Sequence, residues 1–193
     1  MPKRVNAAEQ RAEICRAARR VFTQRGVAGT GLTHVAEVAG MGRSSLYHYY
    51  PDKQSLLRDL VKQTLVEERE VFEEVLRGEG APQERVERLV RVLVSLFDEY
   101  AGAVRMMSDL RLLDAAPFRS FFRKVRAELA AVIAEGQARG DFDPDLDPAL
   151  SAATLIGAVD GLLFQHFADG RAFATLDGLA DALARFTRKA LSP

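Results

Sequence analysis

The sequence predicts an all-α fold of about nine helices, divided into a small N-terminal part and a larger C-terminal one. Three observations carry that expectation. Apolar residues return at helical spacing along most of the chain; Ile14, Ala18, Val21 and Phe22 fall at i, i+4, i+7 and i+8. Alternation of apolar and polar residues is never sustained, and no pair of β-rich runs flanks an Asn-Gly or Asp-Gly turn. Glycine, proline and Asp or Asn stand where helices would stop and start. With 193 residues, 48% of them hydrophobic and 28% charged, the chain can bury a core and stay in water.

Asn6 and Glu9 make an N-x-x-E capping pattern that opens the first helix, and Gly26 suits its end. The second helix, Thr33–Ala39, and the third, Ser44–Tyr50, are short. Pro51-Asp52 opens a long amphipathic fourth helix carrying Leu56, Leu57, Leu60, Val61, Leu65, Phe72 and Val75, which Gly78 and Gly80 end. Pro82–Tyr100 is the fifth, Val104–Leu113 a shorter sixth, and Pro117–Ala138 the seventh. Asp147 as N-cap and Pro148 in the first helical position start an eighth that reaches Ala168. Leu176–Leu191 is the ninth. The boundary between the two parts is expected after Pro51, giving domains 1–51 and 52–193.

Within the first part, the second and third helices meet across Ala39-Gly40-Met41-Gly42, a short glycine-bearing turn of helix-turn-helix type. Leu46 and Tyr50, four apart, turn one face of the third helix into the core. The other side then displays Arg43, Ser44, Ser45, Tyr47, His48 and Tyr49, groups that can reach base edges and phosphates from a major groove. Charge agrees. The formal net charge is zero, yet residues 1–53 hold 9 Lys/Arg against 4 Asp/Glu while residues 54–193 hold 18 against 23. A basic head on an acidic body fits a polyanion partner for the head alone.

The run from Leu32 to Leu57, LTHVAEVAGMGRSSLYHYYPDKQSLL, resembles the DNA-binding domain of the tetracycline-repressor (TetR) family, and Ile14, Ala18, Phe22 and Gly26 match its first helix. The resemblance covers about 45 residues closely and extends over the rest only in helix count and order. It implies a helix-turn-helix DNA-binding domain followed by a helical domain that binds an effector and dimerises. Residue by residue, it places Arg43, Ser44, Ser45 and His48 on base edges, and Tyr47, Tyr49 and Lys53 on phosphates. Thr33 is a further backbone contact, and Lys3, Arg4 and Arg11 add nonspecific charge. Two positions depart from the family's pattern. Gly31 and Gly42 stand where Ser or Thr usually precedes the second helix and Ser the third. The helices should survive, because glycine caps only a few tenths of a kcal/mol less well, but no hydroxyl contact to DNA can come from either.

In the body, Phe97, Phe118, Phe121, Phe122 and Phe164 could line an apolar cavity or fill a solid core, and Arg105, Asp160 and His166 are candidate polar anchors for an effector. The resemblance favours the cavity. The Asp-rich loop Gly140–Asp147 lacks the glycine and glutamate of a calcium loop, having Leu146 and Ala152 at those places, and reads as a cap for the next helix. In that helix Ala153, Gly157 and Gly161 make a small-residue stripe, with Leu155, Val159, Leu162 and Leu163 on neighbouring faces. Together with Leu179, Leu183 and Phe186 of the last helix this predicts a homodimer interface.

Several classes are excluded or disfavoured. One cysteine, Cys15, forbids an intrachain disulfide and a cysteine-based zinc cluster, and no metal site is expected. No H-E-x-x-H, G-x-S-x-G, P-loop or dinucleotide turn is present, so no catalytic residue and no cofactor is predicted. The opening MPKRVNAAEQ lacks an apolar stretch, and Ala149–Phe167 is interrupted by Asp160, Gln165 and His166, a poor membrane span. The expectation is a cytoplasmic, homodimeric regulator, most simply a repressor that leaves a palindromic double-stranded operator when a small, mainly apolar effector binds. The alternative is an all-α small-molecule binder or enzyme without operator specificity.

Overall fold

The computed structural model describes residues 6–107, 116–170 and 175–193, and among them are eight helices. They are α1 (Ala7–Arg25), α2 (Leu32–Val38), α3 (Arg43–Tyr49), α4 (Lys53–Arg77), α5 (Pro82–Met107), α6 (Ala116–Arg139), α7 (Pro148–Ala168) and α8 (Leu176–Leu191). The separate helix expected from Val104 is corrected: residues 104–107 continue α5. Gly102 is the only helix-breaking type in that stretch, and one glycine costs a helix only about 1 kcal/mol. The rest of that expected helix, to Leu113, lies outside the described residues. The chain divides into two compact units, one comprising residues up to Leu65 with the end of α5 from Tyr100, the other comprising 66–99 and the chain from Ala116.

In the first unit α1 and the short α2 and α3 each bury one face. Asn6 caps α1 by accepting the Ala8 N–H at 3.1 Å. The helix then buries Ile14, Cys15, Ala17, Ala18, Val21 and Phe22. α2 contributes Leu32, Val35 and Ala36, α3 only Leu46, and Tyr50 caps α3 while itself 1% exposed. Gly40 makes the turn between α2 and α3 possible. At φ 65° it directs the Met41 N–H to the Ala36 carbonyl (3.0 Å) and its own N–H to that of Glu37 (3.2 Å), satisfying the last carbonyls of α2.

The second unit has a larger apolar core, in which α6 packs along α7. Leu76, Val86, Leu89, Val90, Leu129, Ile133, Phe142, Ala152, Leu155, Ile156, Val159 and Leu163 form it, and α8 adds Leu179, Ala180, Leu183 and Leu191. The loop after α6 is locked into this core. A Cβ at Gly136 would stand 2.1 Å from the Phe142 ring, so only glycine lets that fully buried ring lie on α6. The Asp141 N–H returns to the Gly136 carbonyl at 2.8 Å, and the Asp143 N–H reaches the Leu191 carbonyl at 2.9 Å, tying the loop to the end of α8. The Asp-rich loop ends as expected, with Asp147 accepting the Leu150 N–H at 2.7 Å to cap α7. Arg–carboxylate pairs rim the core, Arg77 with Glu128, Arg91 with Asp181 and Arg188 with Glu87, while the buried Arg85 pairs with Glu135 and donates to the Leu76 carbonyl at 3.0 Å.

Candidate functional site

α3 is seven residues long and only Leu46 of it is buried, so nearly its whole circumference is available. Arg43, Ser44, Ser45, Tyr47 and His48 are exposed, and Tyr49 is half-buried. Gly42, the N-cap, offers no side chain to the helix's first N–H groups. The outward side chains are ordered among themselves. The Arg43 guanidinium lies 5.5 Å from the centre of the Tyr47 ring, within cation–π range, and Arg43 stays exposed. His48 and Tyr49 meet edge to face at 5.9 Å. Such a face presents donors, acceptors and one permanent cation, the set that can read base edges and phosphates. Thr33, the second residue of α2, is half-buried.

Behind that face lies a polar frame. The Tyr50 hydroxyl donates to Asp59 Oδ2 at 2.6 Å and stands 3.6 Å from Cys15 Sγ. Burial first, and then the hydrogen bond to Asp59, push the phenol above its ordinary pKa. Arg11 donates to the same Asp59 oxygen at 3.3 Å, and its guanidinium sits 4.9 Å from the Tyr50 ring centre. Arg11, expected as loose nonspecific charge, is therefore a bracing residue of α1. Lys53 Nζ donates to the carbonyls of Val27 and Thr30. His34 Nδ1 accepts the Gly31 N–H at 3.2 Å and so closes the start of α2, where glycine has no hydroxyl to offer. Sequence reasoning missed Asp59, Thr30 and His34. For His34 a signal existed, since it stands three residues after the N-cap, where a capping partner sits. For Asp59 there was none, because its partners are 9 and 48 residues away.

Residues 14–60 match the family of bacterial regulatory proteins named tetR, and residues 115–191 match the C-terminal region of BetI-type transcriptional repressors. This chain belongs to the TetR family. The first match contains the whole of α2 and α3 and the polar frame except Arg11. Relatives include the transcriptional regulator TtgR of Pseudomonas putida, 26% identical over 81% of this chain and 80% of that protein. The repressor BepR of Brucella suis is 25% identical over 83% and 81%. Among solved structures, a transcriptional regulator from Saccharomonospora viridis in complex with choline superposes with a TM-score of 0.85 at 21% identity, over 96% of this chain and 99% of that one. FadR of Bacillus subtilis in complex with stearoyl-CoA superposes with a TM-score of 0.74 at 18% identity, over 93% and 98%. This TetR-family chain is thus a DNA-binding transcriptional regulator with an N-terminal helix-turn-helix.

The body's candidate residues separate into groups. Phe97 and Arg105 have side chains outside the described residues. Phe118, Phe121 and Phe122 are half-buried on α6; Phe121 meets Phe122 edge to face at 5.3 Å and Phe72 at 6.0 Å. Phe164 is 65% exposed, which corrects its expected place lining a cavity: it falls on the side of α7 opposite the buried row Ile156, Val159 and Leu163. His166 is buried. Asp160 keeps contact with solvent, yet protein surrounds it enough to push its carboxyl up to about 6 by desolvation.

The expected dimer residues also divide. Leu179 and Leu183 are corrected: both are buried in the core of their own chain, because the strongly one-sided α8 turns its leucine row inward. Phe186 is 66% exposed on the other side, as are Gly157, where no atom comes within 4 Å of a Cβ, and in part Ala153 and Gly161. Between the outer sides of α7 and α8 runs a groove of about 470 Å³ lined by Leu150, Thr154, Ala158, Phe186 and Ala190, with Asp145 and Asp147 at one end. α7 is apolar and long enough to cross a membrane by composition, but Leu155, Ile156, Val159 and Leu163 pack into this chain's core as a core helix does.

Proposed function

We propose that the protein is a homodimeric repressor that holds a palindromic operator with two copies of α3 and leaves it when a small, mainly apolar effector binds the helical body. The single observation that carries the reading is α3 itself: one buried leucine, and around it exposed Arg43, Ser44, Ser45, Tyr47 and His48. Arg43, Ser44, Ser45 and His48 read base edges; Tyr47, Tyr49 and Thr33 hold the backbone. The reading head is residues 1–51 and the effector and dimerisation domain is 52–193. A two-fold dimer sets its two α3 helices about 34 Å apart, one turn of DNA. The exposed Leu150, Phe164 and Phe186 support pairing through α7 and α8, since a dimer takes those apolar side chains out of water. The site of action is the cytoplasm, where the DNA is.

For the effector, the half-buried Phe118, Phe121 and Phe122 favour apolar matter, and Asp160 and His166 supply polar anchors. Ligands named for structural neighbours, stearoyl-CoA and choline, define two arms of a test panel. The experiment is a titration of the full-length protein against a duplex selected from random sequence and a scrambled duplex, with and without each compound. Arg43→Ala and His48→Ala should each lose about 1–3 kcal/mol on the selected duplex and little on the scrambled one. Unchanged binding by both variants would remove α3 as the reader. Compounds that bind only the native state raise its unfolding midpoint; stabilisation by sugars alone would remove the apolar-effector reading. Sedimentation of Phe186→Glu should give monomers where the wild type gives dimers.

A further inference from the structure

We infer that Lys53 is a positioning residue, whose ammonium straps the α1–α2 loop and so sets the first turn of α2, rather than a phosphate ligand. The inference rests on the reading of Thr33 as a DNA-backbone contact. Lys53 is the first residue of α4 and is half-buried. Its Nζ donates to the Val27 carbonyl at 2.9 Å and to the Thr30 carbonyl at 3.1 Å, spending two of its three donors inside the protein. The loop it grips is closed from within as well. Thr30, 2% exposed, donates its hydroxyl to the Gly26 carbonyl at 2.7 Å and its N–H to the Val27 carbonyl at 3.2 Å. The Val27 carbonyl therefore receives two donors.

The strap has a physical purpose in this sequence. The loop contains Gly26, Gly29 and Gly31, and Gly31 is the N-cap of α2 with no side chain to hold that helix's start. Glycine gives such a segment the largest conformational freedom to lose. A hydroxyl cap would fix it locally; here only His34 does so, with one hydrogen bond to the Gly31 N–H. Beyond the two bonds that Thr30 makes within the loop, the constraint comes from outside, as two charge-assisted hydrogen bonds from Lys53. Thr33 follows the strapped carbonyl of Thr30 by three residues, within the first turn of α2. Pulling Nζ out to a phosphate would release both carbonyls and free the turn that Thr33 needs.

The test uses the full-length protein, the selected and scrambled duplexes, and the variants Lys53→Met, Lys53→Gln, Thr33→Val and Lys53→Met with Thr33→Val. Hydrogen exchange in the DNA-free protein should quicken in Lys53→Met at the amides of Thr30 and His34, which bond to Val27 and Gly31 across the loop. Binding should weaken about tenfold on both duplexes, the size of one lost charge-assisted hydrogen bond, with the log–log salt slope unchanged. Lys53→Met and Thr33→Val should be non-additive, because the first acts through the second; a lysine that served stability alone would leave the two additive. A phosphate ligand predicts the opposite, a slope lower by about one unit per bound subunit with exchange at Thr30 and His34 unchanged, and that result overturns the inference. Lys53→Gln, which keeps a donor for one carbonyl and removes the charge, reads the slope if Lys53→Met does not fold. If Thr33→Val alone leaves binding untouched, the contact proposed for Thr33 falls, while the exchange at Thr30 and His34 still decides the strap.

Discussion

The two halves of this molecule are fastened by different means. The N-terminal unit holds its short helices with directed polar contacts across the sequence: Tyr50 to Asp59, Arg11 to Asp59, Arg19 to Thr64, and Lys53 to Val27 and Thr30. The C-terminal unit relies on area. Its core runs through α4 to α8, and its guanidinium–carboxylate pairs lie at the rim, where several partners are half or more exposed, except that Arg85 is buried and also donates to the Leu76 carbonyl. Helices as short as α2 and α3, seven residues each, expose most of their surface and can bury little. A unit that must keep a seven-residue reading helix outward has few apolar contacts left, so orientation falls to hydrogen bonds with fixed geometry. The larger unit can spend α5, α6 and α7 on burial and leave α7 and α8 with an apolar outer side.

That contrast can be broken, first in the body. Phe142→Ala removes a fully buried ring that lies on Gly136, and should cost about 3–5 kcal/mol in denaturant unfolding, cavity included. A loss under about 0.5 kcal/mol, the scale of an ordinary surface change, would mean that area does not hold this half. In the head, Tyr50→Phe keeps the ring and deletes only the hydroxyl, leaving the Asp59 carboxylate with Arg11 alone. About 1–3 kcal/mol should be lost, as for other hydrogen bonds to a charged partner, read by chemical unfolding. An unaffected midpoint would place the head in the same class as the body.

Smaller effects sharpen the contrast at the rim. Arg188 donates two hydrogen bonds of 2.7 Å to Glu87, and that bonding lowers the Glu87 pKa from its ordinary 4.5. A carboxyl depressed in the folded state adds stability that is present above 4.5 and is lost as pH falls through the folded value. Glu87→Gln should therefore cost about 0.5–1 kcal/mol at neutral pH and nothing at pH well below that range, in thermal scans at several pH values. Asp160 has the reverse sign. Its carboxyl is raised to about 6 from 3.8, so the folded state binds the proton more tightly, and stability falls as pH rises across that interval. Asp160→Asn should raise the unfolding midpoint slightly at pH 7 and leave it unchanged at pH 3.5, outside that interval; an equal shift at both pH values would show that desolvation of the carboxylate is not the cause.

Much of this architecture was readable before any coordinates. Helix starts and stops follow from local chemistry, which is why Asn6, Gly26, Gly40, Asp147 and the span 176–191 stand where the sequence placed them. The exposed face of α3 was equally legible, since a seven-residue helix with Leu46 turned inward has only one way to show Arg43, Tyr47 and His48. What periodicity could not decide was which of two apolar rows meets its own chain. Leu179 and Leu183 against Phe186 on α8, and Ile156 and Val159 against Phe164 on α7, are alike in composition, and only packing against α5 and α6 divides core from surface. Nor could it assign partners to charges. Arg11 and Lys53 look in sequence like free cations of a basic head, and the fold gives both to acceptors inside the unit. Local spacing determines where a helix begins and which side is apolar, because those depend on residues within a turn or two. The partners of Asp59, of Lys53 and of the Phe142 ring depend on the meeting of segments distant in the chain, and that only the tertiary structure decided.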